Sequence, residues 1–163
     1  MTDAEMEALL RSVEISHHER GWDELPATLY SVIRDGDRVN LNGLELIDPQ
    51  RHPREEIASL ARSMERPWAA AVMRKHFRAA SVAHLLVFEG WARDFAPGEE
   101  PDRSLADIPG SRKMRLVTGV YGEEQMTLMR IRGEEPQPLR DVHTGHMVES
   151  LRRIHDAERR AFE

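Results

Sequence analysis

The chain has 163 residues, no cysteine and a net charge of −6; without thiols, disulfides, thiolate zinc sites and cysteine nucleophiles are excluded. An acidic whole argues against sequence-independent nucleic-acid binding, and one domain of this length, 1–163, buries about 70% of the surface its unfolded chain exposes without a metal or a disulfide. The charge is uneven: residues 51–78 hold seven Arg and Lys against three Glu, a local +4, whereas residues 1–50 hold four against eleven, or −7.

Thr2 and Glu5 fit a capping box, and Met6, Leu9, Leu10 and Val13 recur at helical spacing, with His17 extending the stripe. They predict a first helix that ends at Gly21. Five acidic residues among the first twenty exclude a signal peptide and predict a cytoplasmic location. Thr28 to Arg34 is rich in β-branched and aromatic residues, and Asp35-Gly36-Asp37 is a turn signal, so a hairpin with Val39 to Leu41 follows, which Leu44 to Ile47 extends. Pro49 and Pro53 introduce a helix striped by Ile57, Leu60, Ala61 and Met64; Pro67 interrupts it, and Trp68 to Arg78 continues at an angle.

His84 to Trp91 is a nearly continuous apolar run, as expected of a central strand buried on both faces. After a long proline- and glycine-rich loop, 96–111, Met114 to Tyr121 and Gln125 to Arg132 alternate around Gly122 and predict a second hairpin. Pro136 and Pro138 read as a stiff linker, Asp141 or Thr144 as the cap of a last helix with Met147, Val148, Leu151 and Ile154 on its buried side, and the charged tail 156–163 as a fraying end. Strands and helices do not alternate as in a parallel sheet. The order predicts one α+β domain, an antiparallel sheet of about five strands with helices packed mainly on one face. It is similar to the α+β order of bacterial secretion chaperones, a likeness of fold alone.

Gly21-Trp22-Asp23 leading into Leu29-Tyr30, and the hairpin carrying Arg115, Val117, Gly119, Val120, Met129 and Arg130, resemble the same features in a family of small actinobacterial proteins with no assigned activity. The resemblance spans most of the chain and departs from it in the helix after Pro53 and the 96–111 loop. It implies an actinobacterial or actinobacteriophage setting and no chemistry.

Glu89 is the best single candidate for a polar site, because a carboxylate inside an apolar strand is costly unless paired. Arg115 and Arg130 are its candidate partners across the sheet, and a structural salt bridge is the competing explanation. His143, His146 and Glu149 are spaced three apart, which suits metal ligation if His84 or His155 joins them; surface histidines near a helix start are the favoured explanation, and no metal is expected. His17-His18-Glu19 places at most one histidine in any one site. Met114, Met126 and Met129, with Tyr121, read as an adaptable apolar interface or as core. No phosphate loop, calcium loop or nucleophile elbow occurs, and no cofactor is expected. The chain therefore reads as a non-enzymatic protein-binding or accessory domain that holds a protein partner or a second copy at a sheet face or edge. The alternatives are a small enzyme or ligand sensor using Glu89 under the 96–111 loop, and polyanion binding through residues 51–78.

Overall fold

The Thr2 hydroxyl accepts from the Glu5 amide at 3.2 Å and the Glu5 carboxylate accepts from the Thr2 amide at 2.7 Å, closing the capping box that starts α1 (Asp3–Glu19). The computed structural model describes residues 1–23, 26–48, 51–92, 104–139 and 145–163. Within them follow β1 (Ala27–Asp35), β2 (Arg38–Leu46), α2 (Pro53–Met64), α3 (Pro67–His76), β3 (Ala83–Ala92), a short 3-10 turn, β4 (Arg112–Tyr121), β5 (Glu124–Ile131), β6 (Gln137–Leu139) and α4 (His146–Phe162). All strands pair antiparallel in one open sheet, ordered β2-β1-β3-β4-β5-β6. The fold is α+β.

Both long hairpins turn on two residues with glycine first: Gly36 and Gly122 have φ of 58° and 51°, while Asp37 and Glu123 keep ordinary negative φ. That is the II′ arrangement, whose twist matches the flanking strands. β3 sits third of six and is covered on both sides, as its unbroken apolar run predicts. Leu85 and Val87 face one way and meet Met6, Leu10 and Val13 of α1. Leu86 faces the other and meets Ile57 and Ala61 of α2 with Val148, Leu151 and Ile154 of α4. Three helices therefore lie on one side, α3 being packed on α4 through Ala69, Met73 and Ala161. Among the described residues α1 is the one helix on the opposite face.

One expectation changes. The Pro136–Pro138 segment contributes a sixth strand, with Pro138 opposite Leu128; an edge strand tolerates proline because one of its sides needs no donor. α4 runs to Phe162 and buries Ala157, Glu158 and Ala161. The caps expected at Asp141 and Thr144, and residues 96–103 of the long loop, lie outside the described residues. Among the described residues no helix is long and apolar enough to cross a membrane.

Candidate functional site

On the α1 face, register sets Glu89 opposite Arg115 and Arg115 opposite Arg130, so one carboxylate and two guanidinium groups form a row across β3, β4 and β5. Arg115 donates to Glu89 Oε1 from Nε at 3.2 Å and from Nη2 at 2.7 Å. Two arginines directly opposite each other repel. Glu14 of α1 offsets this from above: its two carboxylate oxygens accept from Arg130 Nε and Nη2 at 2.7 Å each, and Arg115 Nη1 lies 3.6 Å from it. Arg115 is 1% exposed and Glu14 0%. Among the described residues Arg115 Nη1 has no hydrogen-bond partner.

The segment Gly21-Trp22-Asp23 closes the row. Gly21 gives its carbonyl to Arg115 Nη2 at 2.5 Å, and the Trp22 ring lies 4.5 Å from the Arg115 guanidinium carbon. Asp23 has a φ of 65°, in the left-handed region that Asp tolerates better than most residues. In that conformation its amide donates to Glu89 Oε2 at 3.0 Å and its carboxylate takes Lys113. The Gly21-Trp22-Asp23 segment and the arginine hairpin thus meet in space. Beside them is a cavity of about 310 Å³ lined by Glu89, Lys113, Asp23 and His52 on its polar side and by Phe88 and Met147 among its apolar walls. Both Glu89 oxygens are already engaged, so the carboxylate serves first as the tie between the Asp23 turn and Arg115.

His17 takes its place at the edge of this cluster. It is buried and shares a 2.8 Å hydrogen bond with the Tyr30 hydroxyl; burial, and next the Arg115 charge, hold its pKa below the ordinary value. His18 and Glu19 are exposed.

A second buried polar group lies on the opposite face. His84 Nε2 stands 2.9 Å from Glu158 Oε2, its Nδ1 is 3.1 Å from His155 Nδ1, and the other Glu158 oxygen accepts from the Ser81 amide at 2.6 Å and hydroxyl at 2.8 Å. Burial, then the His84 charge, push His155 down to about 4. Burial pushes the Glu158 carboxyl up, yet the bond and charge of His84 and the two Ser81 donors outweigh it and leave the group below its ordinary value. Ser, His and Glu here do not form a nucleophilic relay. The serine hydroxyl donates to the carboxylate, with no imidazole nitrogen placed to take its proton.

The remaining candidates separate. Among the described residues His146 pairs with Glu149 alone, at 3.0 Å and with both side chains about two-thirds exposed, and His143 lies outside the described residues. His84 and His155 do come together, but nine residues along α4 from His146, about 13 Å of helix. Among the described residues no group of three His, Cys, Asp or Glu side chains suits a metal ion. Tyr121 is 4% exposed and donates its hydroxyl to Asp3, and burial with that bond pushes its pKa up to about 12; it is core, since β4 is covered on both faces. Met126 packs half-buried against the α1 cluster, and Met114 and Met129 are half-buried on the other face. Glu14, Ser81 and Glu158 are the site residues that sequence reading missed. Glu14 was detectable, because it is four residues past Leu10 on the stripe defined by Met6, Leu10, Val13 and His17. No protein-family model, curated protein or solved structure matches the chain.

Proposed function

We propose that the protein is a non-catalytic protein-binding domain that receives an extended segment of a partner along the outer edge of β2. The supporting observation is the difference between the two edges of the sheet. β6 has three residues with proline at its centre, which blunts it. β2 has nine, without proline or lysine, and among the described residues no strand pairs with its outer side. Its two-residue turn makes Asp35 and Arg38 a hydrogen-bonded pair, and alternation from there directs the backbone groups of Val39, Leu41, Gly43 and Glu45 outward. Val39, Leu41 and Leu44 are exposed beside them, and Ile47, just beyond, is 64% exposed. Strand addition uses such an edge: backbone bonds give affinity and alternate side chains give selectivity.

Leu41→Pro tests this, since the Leu41 nitrogen faces away from β1. The variant keeps the far-UV circular dichroism and melting point of the parent and loses complexes that the parent forms in its host lysate, read by native mass spectrometry. In those complexes the amides of Val39, Leu41 and Glu45 exchange hydrogen more slowly than in the free protein. Unchanged exchange at these three amides in every complex would overturn the reading.

A second reading rests on the 310 Å³ cavity beside Glu89 and Lys113: a ligand sensor or small enzyme. It requires Glu89→Gln to abolish ligand binding while the fold persists, and a Glu89→Gln protein with unaltered binding removes it.

A further inference from the structure

The stretch 51–78 carries a local net charge of +4 in an acidic chain, and the fold concentrates part of it in one place. α2 and α4 lie side by side, and between them runs a groove of about 530 Å³. Its small-residue lining is Ala58 and Ser59 of α2 and Ser150 of α4, which leaves room that longer side chains would fill. Four arginines line it, Arg51, Arg54, Arg62 and Arg153, against the carboxylates of Glu55 and Glu149.

The arginines differ in what already holds them. Arg153 is spent on Glu65, with bonds of 2.7 and 2.5 Å, and Arg51 reaches Asp48 only at 3.4 Å. Among the described residues, the side chains of Arg54 and Arg62 have no hydrogen-bond or ion-pair partner. They stand eight residues apart on α2, two turns or about 12 Å of backbone, with Ala58 between them. Two uncommitted guanidinium groups flanking a gap in the side-chain layer match a ligand with anionic groups at both ends.

The rest of the lining narrows the class. The volume is that of a small-molecule site and exceeds what one phosphate fills. Among the described residues no Phe, Tyr, Trp or large aliphatic side chain lines the groove, and its imidazole, His146, is paired with Glu149, so the lining offers no apolar surface to bury a lipid chain and no broad ring to stack a nucleobase. We propose that the groove between α2 and α4 binds a compact polyphosphorylated anion, inorganic or carried on a polar scaffold, held between Arg54 and Arg62. This site is independent of the β2 edge.

Glu55 supplies a test of opposite sign, for it lines the same groove and no ion pair holds it among the described residues. Titration calorimetry with inorganic tripolyphosphate at fixed ionic strength should give saturable one-to-one binding. The double variant Arg54→Gln/Arg62→Gln lowers affinity by about tenfold or more, the worth of two weakly screened charge contacts. Glu55→Gln raises it a few-fold. Arg66→Gln/Arg78→Gln, which removes two charges of the same segment outside the groove, leaves it within about twofold. All these positions are exposed or at the helix surface, and circular dichroism checks each fold. Absent or non-saturable binding overturns the proposal. So does equal loss in the two double variants, or tighter capture of a single-stranded RNA oligonucleotide that depends on Arg66 and Arg78, either of which makes the effect diffuse attraction of polyanions.

Discussion

Replacing Glu14 by glutamine tests the charge row most directly. In the folded chain Glu14 and Glu89 balance Arg115 and Arg130, and all but Glu89 are more than nine-tenths buried. Glutamine preserves the shape, removes the balancing charge and points an amide donor at guanidinium donors. Removing one partner of a buried ion pair costs about 3–5 kcal/mol. The Arg130 guanidinium, whose pKa its bond to Glu14 holds above the ordinary value, then keeps its charge with only the neutral glutamine oxygen and the Glu134 carbonyl at 3.0 Å to accept from it. With a urea slope near 2 kcal/mol per molar, the midpoint should fall by about 1.5–2.5 M. The pair Glu14→Leu/Arg130→Met leaves Glu89 and Arg115 balanced, so its destabilisation should be far less than the sum of the two single changes. Urea unfolding followed by far-UV circular dichroism measures the parent, Glu14→Gln, the two single changes and the double variant. A Glu14→Gln protein within about 1 kcal/mol of the parent, or strictly additive losses, would refute the assignment of Glu14 as the balancing charge.

Two further expectations concern the core and the opposite face. A Cβ on Gly119 would stand 2.6 Å from Met6 Sδ and 3.0 Å from Leu85 Cδ2, so Gly119→Ala should cost about 1–3 kcal/mol by overpacking α1 against β4. Thermal melts would show it, and pairing the change with Met6→Ala should cost less than the sum. Stability should also fall as pH drops from 6.5 to about 4, because burial, then the charges of His84, Arg152 and Arg159, keep His155 neutral in the fold against the milder pull of Glu158, while the unfolded chain takes the proton. The gap between 6.5 and about 4 corresponds to roughly 3 kcal/mol, fully present above pH 6.5. Glu158, lowered in the fold, adds loss in the same direction below its ordinary 4.5. Urea midpoints at pH 7.5 and 5 measure the slope, which His155→Leu should flatten; an equal slope in that variant would place the titration elsewhere.

Local signals were legible where one physical cause dominates. The apolar run around Leu85 and Leu86 specified a central strand, glycine at 36 and 122 specified tight hairpins, and the oddity of Glu89 in such a strand pointed to Arg115. The sequence also left Arg130 as an alternative partner for Glu89, because strand alternation places both arginines on one face without saying what lies above them. That something is Glu14, a charged residue on a stripe otherwise apolar, and a charge in a helix is by default read as solvated. Glu158 was hidden for the same reason within an arginine-rich tail. Which side of the sheet α1 takes is set by long-range packing of Met6 against Gly119, and periodicity within α1 carries no information about it.

The row of Glu89, Arg115 and Arg130 under Glu14 also discriminates among wrong structures. If β4 slipped by one residue against β3, Arg115 would turn onto the opposite face, toward the apolar layer of Leu86 and Leu151 and away from Glu89 and Glu14. If α1 slid by one turn, about 5.4 Å, Leu10 or His17 or His18 would replace Glu14 above two like charges. Apolar contacts alone would forgive such shifts, since leucine meets leucine about as well one step along. The charges do not forgive them, and so they widen the gap between one arrangement and its near neighbours even where their net contribution to stability is small.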